Sequence, residues 1–338
     1  MERISTHTTG MMAGNKAPSA WLGFDLGGTK MLATVYDADF QPLGKHRTKT
    51  KGREGIEAGL ARILETIHRA LADAELDTTA VRGLGIGCPG PLDLERGIIE
   101  ETPNLGWTDV PIKEVVEKEF GFPAIIMNDV DAGIYGEYRF GAARDHRTAL
   151  GVFPGTGIGG GCVYEGKILR GAKSSCMEIG HVQVMPEGPR CGCGRRGCLE
   201  AVASRLVIAS QVAAAAYRGH APHLLKENGT DLKDIRSGAL AASIDAGDKV
   251  VESIVREAAR QIGRAVASVI HLIAPDVVVL GGGMVEAMPD LFTMEVGRTA
   301  RARVLPTFTE GFEVVAAELG DDAGVLGAAA WAEFNLSQ

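Results

Sequence analysis

Apolar positions along this chain follow two periods, and the switches between them mark its elements. Trp21 to Asp25, Met31 to Tyr36 and Pro42 to Thr50 are short stretches that predict three strands at the start. Glu54 to Ala74 changes period. Ile56, Leu60, Ile63, Leu64, Ile67 and Leu71 recur at helical spacing there. Val81 to Gly87 predicts a buried strand running into Pro89-Gly90-Pro91. Ile112 to Phe120 predicts a helix, Ala124 to Met127 a strand that stops at Asn128-Asp129, and Val130 to Phe140 another helix. Thr148 to Phe153 and Gly159 to Tyr164 read as strands; Ala203 to Tyr217 and Ala239 to Ala246 read as helices. The longest helix is expected from Lys249 to Ile273, with Ile254, Ala258, Ile262, Val266, Val269 and Ile273 on one face and Pro275 stopping it. Val277 to Leu280 and Phe312 to Ala316 are strands, and Ala323 to Phe334 closes the chain as a helix.

The order of elements repeats. A strand, a glycine turn and a second strand open the chain, and the same unit opens again near residue 148. Two related α/β halves around a cleft fit this pattern. The boundary is expected between residues 128 and 148. The first half is residues 20–140 plus the returning C-terminal helix, 322–335; the second is 141–321. Met1 to Ala20 is polar and small, with no apolar core of a signal peptide, and residues 1–19 are expected to be a disordered tail. No run of 18 apolar residues exists, so no membrane span is expected.

Charge and cysteine content narrow the function classes. The net charge of −8 over 338 residues argues against a general nucleic-acid binder. Of six cysteines, Cys88, Cys162 and Cys176 sit in apolar or glycine-rich surroundings and read as reduced and buried. The others, Cys191, Cys193 and Cys198, fall within eight residues broken by glycines, ten residues after His181. Three thiols and an imidazole make a Cys₃His set suited to structural Zn²⁺; a disulfide or inert thiols is the alternative. All four positions filled by protein would leave no open site for a catalytic water. This cysteine usage fits a reducing cytoplasm.

Three glycine clusters each follow an apolar strand: 27–30, 155–161 and 281–283. Amides bared by glycine form anion-binding concavities, and two such turns facing across a cleft would hold a triphosphate. Each cluster taken singly is also compatible with an ordinary hairpin. The first joins two strands rather than a strand and a helix, which separates it from a P-loop. Thr29 and Thr156 would add hydroxyls, Lys30 charge, and Asp25 a ligand for hydrated Mg²⁺. Asp129, at a strand end, is placed either as a general base or as the cap of the following helix. Asp131 lies two residues on and is expected to face elsewhere. Asn104, Asn128, Glu178, His181 and Glu200 offer the polar groups that grip sugar hydroxyls. Trp107 is expected in packing, not as a stacking platform.

These motifs, taken in order, resemble the ROK family of sugar kinases and repressors over residues 20 to 334. The marks are Gly23-Phe24-Asp25-Leu26-Gly27-Gly28-Thr29-Lys30, Gly87-Cys88-Pro89-Gly90-Pro91, Asn128-Asp129, Gly155-Thr156-Gly157-Ile158-Gly159-Gly160-Gly161, Glu178-Ile179-Gly180-His181 and the Cys191 to Glu200 loop. The resemblance implies an actin-like ATPase (RNase H-like) fold with two α/β domains around a central cleft, and ATP with Mg²⁺ as phosphoryl donor. It implies Asp129 as catalytic base. Asn104, Asn128, Glu178, His181 and Glu200 become sugar ligands, and His181 with the three cysteines becomes the zinc site. Asp25, Gly27, Gly28, Thr29, Lys30, Gly155, Thr156, Gly157, Gly281 and Gly282 fall at the nucleotide, with Gly281-Gly282 against adenosine. A homodimer or homotetramer is expected from relatives. The leading expectation is phosphorylation of a hexose, glucose first, at its 6-hydroxyl. Fructose, mannose and N-acetylated amino sugars are alternatives, as is polyphosphate as donor. A repressor of this family would need a DNA-binding module of roughly 60–80 residues ahead of the first strand, and about 20 are present. A silent sugar-binding scaffold is disfavoured by Asp129 and both glycine turns.

Overall fold

The computed structural model of the chain describes residues 19–102, 104–172 and 176–337. Of the expected tail, residues 1–19, all but Ser19 lie outside them, as does Pro103. Ser19 donates its amide to Ala80 O, and the first strand starts at Ala20, one residue before the expected Trp21.

β1 (Ala20–Leu26), β2 (Lys30–Tyr36) and β3 (Pro42–Lys49) form an antiparallel meander. α1 (Ile56–Asp73) crosses over to β4 (Val81–Cys88), which runs parallel to β1. The helix starts two residues later than periodicity suggested, because Gly55 takes a φ of 98° that no helix accommodates. A small sheet that hydrophobic spacing did not reveal follows: β5 (Leu92–Asp93), β6 (Ile98–Thr102) and β7 (Trp107–Val110). α2 (Ile112–Phe120) then leads to β8 (Ala124–Asn128), giving the order β3-β2-β1-β4-β8.

α3 (Asp129–Phe140) connects to a second sheet of the same plan. β9 (Thr148–Pro154), β10 (Ile158–Tyr164) and β11 (Lys167–Ile168) are antiparallel. A helical insertion follows: α4 (Glu200–Ala203), α5 (Arg205–Tyr217), α6 (Pro222–Asn228), α7 (Ser237–Asp245) and α8 (Lys249–Ile273). β12 (Val277–Leu280) lies parallel to β9. After α9 (Gly283–Ala287) and α10 (Pro289–Arg301), β13 (Glu313–Ala316) completes the order β11-β10-β9-β12-β13. α8 has the limits its periodicity predicted. Its end follows from Pro275, which disfavours helical backbone at Ala274; that residue turns into the left-handed region at φ 44°.

The helix expected from Ala203 starts at Arg205, behind a short helix, α4, that was not expected. The run from Ala203 to Tyr217 breaks at Ser204, whose backbone is extended (ψ 156°), and α4 ends there. The break lets the Arg205 amide donate to Gly155 O at 2.9 Å in the β9–β10 turn, a tertiary bond taken in place of the next helical one.

The last helix, α11 (Ala323–Leu336), returns to the first sheet and packs along α3. Glycines permit the approach. A Cβ at Gly85 would stand 1.8 Å from Ala328 O, and one at Gly327 would stand 1.9 Å from Ala132 O. Buried Glu137 of α3 holds the segment ahead of α11, accepting the amides of Glu318 and Leu319 at 3.1 and 2.8 Å. The glycine turns at both sheet ends therefore face one cleft. Among the described residues, no helix is long and apolar enough to cross a membrane.

Candidate active site

The cleft holds two adjoining cavities, and Asp129 and Phe153 line both. The first, about 540 Å³, is lined by Asn104, Asn128, Asp129, Glu178, His181 and Glu200, with Pro89-Gly90-Pro91, Gly155 and Gly157. The five polar residues singled out for sugar hydroxyls thus converge on one space with Asp129, the candidate base. The second, about 360 Å³, is lined by Asp25, Gly27, Asp129, Gly282, Gly283, Glu286, Asp321 and Gly324 among others.

The N-cap of α3 is Asn128 rather than Asp129. Asn128 Oδ1 accepts from Val130 N at 2.9 Å and from Asp131 N at 3.3 Å. Its Nδ2 is left as the polar atom toward the cavity, near Gly90. One Asp129 oxygen shares the Val130 amide at 2.9 Å, which leaves the other oxygen open. Burial raises the Asp129 pKa; the Val130 hydrogen bond opposes the shift and the Glu178 carboxylate adds to it. Asp131 turns away, as expected. It is buried against β10, with one oxygen 3.0 Å from where a Gly161 Cβ would lie.

Asp25, at the end of β1, is raised to about 7 by burial first and by Asp129 second, with Lys30 opposing. Gly324 at the start of α11 lets its carboxyl sit close, 3.4 Å from a would-be Cβ. The first glycine turn is a tight hairpin: Gly27 N donates to Lys30 O at 3.0 Å, and Thr50 Oγ1 to Gly27 O at 2.6 Å. The Gly27 amide is therefore committed to the turn. Lys30 departs from its expected place. Its Nζ is 2.6 Å from Asp321 Oδ1, and Arg47 takes the other oxygen at 3.1 Å, so its charge is spent closing this edge of the cleft.

The second turn is held from α4 and α5. Glu200 Oε2 accepts from Ile158 N at 3.1 Å and packs so closely that a Gly157 Cβ would sit 2.3 Å from it. Arg205, which sequence reasoning missed, donates from Nη2 to Thr156 Oγ1 at 3.0 Å. In the third cluster, Gly281 does not line the cavity. A Cβ there would strike the Phe153 ring at 2.5 Å, so this glycine serves packing. Gly282, at φ 81°, and Gly283 line the cavity instead. Gly28, Thr29, Lys30 and Thr156 stand outside both linings. Trp107 is fully buried and donates to Gly52 O at 3.2 Å, a packing role.

His181, Cys191, Cys193 and Cys198 place their ligand atoms within 4.8 Å of one another. Cys191 Sγ lies 3.7 Å from His181 Nδ1, and Cys193 Sγ lies 3.7 Å from Cys198 Sγ. A tetrahedron with Zn–S bonds of about 2.3 Å has edges near 3.8 Å, so the donor set fits that ion, and a sulfur pair at 3.7 Å is not a disulfide. Gly194 (φ 88°) and Gly197 (φ 71°) make the turns that bring the sulfurs inward. With Nδ1 toward the thiols, His181 presents its other edge to the sugar-side cavity. Of the remaining cysteines, Cys88 and Cys162 are buried as expected, while Cys176 is only half-buried, its thiol on Leu169 O at 3.2 Å.

Comparison with known proteins places the fold and the family. The glucokinase of Thermotoga maritima is 37% identical, with 91% of this chain and 95% of that protein aligned. The crystal structure of a ROK family glucokinase from Streptomyces griseus, in complex with glucose and AMPPNP, superposes with a TM-score of 0.80 at 31% identity, covering 94% of this chain and all of that one. A ROK hexokinase from Thermus thermophilus gives 0.78 at 34%, covering 94% and 99%. The fold is the actin-like ATPase fold in two domains. The ROK family model matches residues 21–334, and this chain is a member of the ROK family.

Proposed function

We propose that this protein is a glucokinase, transferring the γ-phosphoryl group of ATP to the 6-hydroxyl of glucose. The observation that carries the reading is Asp129, one carboxylate shared by a polar sugar-sized cavity and a cavity rimmed by glycine turns. The glucokinases and hexokinase similar to this chain supply the substrate class.

Asn104, Asn128, Glu178, His181 and Glu200 hold the sugar by its hydroxyls. Asn128 acts as a donor only, since its oxygen is committed to α3. The open oxygen of Asp129 accepts the proton of the 6-hydroxyl. The sugar oxygen forms its bond to the γ-phosphorus while the bond to the β–γ bridging oxygen breaks, and that electron pair leaves with ADP. Such a loose transfer needs positioning and charge neutralisation more than covalent chemistry. The raised pKa of Asp129 strengthens it as a base, because a carboxylate held poorly as an anion takes a proton readily.

The first hairpin at Gly27 and the Gly282-Gly283 turn line the cavity that would receive the nucleotide, and the Gly155 to Gly157 turn borders the adjoining one. Mg²⁺ bound with ATP supplies neutralisation of the phosphate oxygens; Asp25 is the residue that fits it, beside Asp129 at the cavity wall. Zn²⁺ in the Cys₃His set supplies rigidity. With Nδ1 engaged, the ring of His181 is fixed in direction and tautomer for a sugar hydroxyl. Three cysteines in the metal set and three others outside any disulfide fit work in a reducing cytoplasm. A coupled ADP-release assay with ATP against a panel of hexoses tests the reading. Turnover highest with glucose is expected, and no turnover with any hexose would refute it.

A further inference from the structure

We infer that Arg205 is a nucleotide-binding residue that grips the terminal phosphates of ATP from the second lobe; this rests on the kinase reading above. Three observations lead there. No Lys or Arg lines the nucleotide-side cavity among the described residues, and three cations of the first lobe pair with carboxylates: Lys30 and Arg47 with Asp321, Lys45 with Asp322. The cavity wall itself is acidic, with Asp25, Asp129, Glu286 and Asp321. A triphosphate needs a positive partner here besides its metal, and the first hairpin does not supply one.

The Arg205 guanidinium sits at the tip of the second hairpin, on Thr156, whose neighbours Gly155 and Gly157 line the cavity that holds Asp129. Among the described residues its side chain is bonded to Thr156 Oγ1 at 3.0 Å and to no carboxylate. A guanidinium can only donate, so Thr156 Oγ1 accepts and its own proton is directed elsewhere. Arginine keeps four further N–H donors in a rigid fork suited to phosphate oxygens. The Thr156 hydroxyl and the Arg205 fork thus form a paired donor group at the turn.

The backbone adds the third point. The Arg205 amide holds Gly155 O at 2.9 Å, and Gly155 N holds Gly157 O at 2.8 Å. These bonds do not involve the side chain. Replacing the side chain therefore leaves the turn pinned, which separates phosphate binding from loop structure.

The test is calorimetric titration of the full chain with Mg·AMPPNP, Mg·ADP and AMP, on wild type, Arg205→Met and Arg205→Lys. Arg205→Met is expected to weaken AMPPNP by roughly tenfold or more. AMP should change less than about twofold and Arg205→Lys should fall between, because charge without the fork recovers only part. In turnover, KM for ATP should rise with KM for glucose unchanged. Wild-type affinity of Arg205→Met for AMPPNP would overturn the assignment, as would an equal loss for all three nucleotides. If wild type binds AMPPNP but phosphorylates no sugar, the kinase reading fails while these affinities still decide on Arg205. If wild type binds no AMPPNP, both fall.

Discussion

Glu200 Oε2 accepts a hydrogen bond from the Ile158 amide at 3.1 Å, tying the segment after the cysteine loop to the second glycine turn. Glu200 and the Gly155 and Gly157 positions of the turn it holds line the sugar-side cavity together, next to Asp129. In the proposed kinase reading, one Glu200 oxygen braces the turn and the second remains for a sugar hydroxyl.

Gly157→Ala tests that link. Its methyl would lie 2.3 Å from Glu200 Oε2, so the carboxylate must swing off the Ile158 amide to make room. A loss of at least about tenfold in kcat/KM is expected, since a hydrogen bond to a charged group contributes roughly 1.5–3 kcal/mol. Gly192→Ala, where a methyl meets nothing within 4 Å, is the control. Steady-state kinetics of both variants give the answer; equal activity would show the link to be slack.

Asp129→Asn should lower kcat by about 10²- to 10⁴-fold, the usual contribution of a general base. Glucose binding, followed by calorimetry, should persist, because five other polar groups line the same cavity. A variant that turns over normally removes Asp129 from the chemistry.

Elemental analysis should find one zinc per chain, and Cys193→Ser should lose it. Cys193 is exposed, so its replacement disturbs little packing. A fall in melting temperature and in glucose affinity in this variant therefore reports the metal rather than a core defect. Unchanged metal content would exclude the site.

The carboxyl of Asp25 links function to pH. Its pKa rises from 3.8 unfolded to about 7 folded, so the native state binds more protons between those values. Stability of the nucleotide-free protein should fall as pH rises through that window, with the full penalty present above about 7. Asp131, raised to about 8, extends the decline. Asp25→Asn should raise the melting temperature at pH 8 and weaken Mg·nucleotide binding. Calorimetry across pH checks both; a variant less stable than wild type at pH 8 would contradict the assignment.

How much was legible in sequence differs by the range of the interaction. The limits of α8, the hairpin at 27–30 and the Cys₃His set were readable because periodicity, turn chemistry and ligand spacing act within a few neighbours. The motif order carried the convergence of Asn104, Asn128, Glu178, His181 and Glu200, through resemblance rather than spacing. The short strands β5 to β7 escaped because two to five residues leave too little pattern.

By itself the sequence determined which side chains can ligate zinc, where the long helices run and that glycine turns close two similar units. Tertiary structure alone decided that Lys30 spends its charge on Asp321, 291 residues away, and that Ser204 breaks a helix so that Arg205 can reach Gly155. It also decided that Gly281 serves the Phe153 ring while Gly282 and Gly283 face the cavity. The reason is physical. Local backbone preferences differ by about 1 kcal/mol or less per residue, and one buried or charged contact between distant segments is large enough to override them.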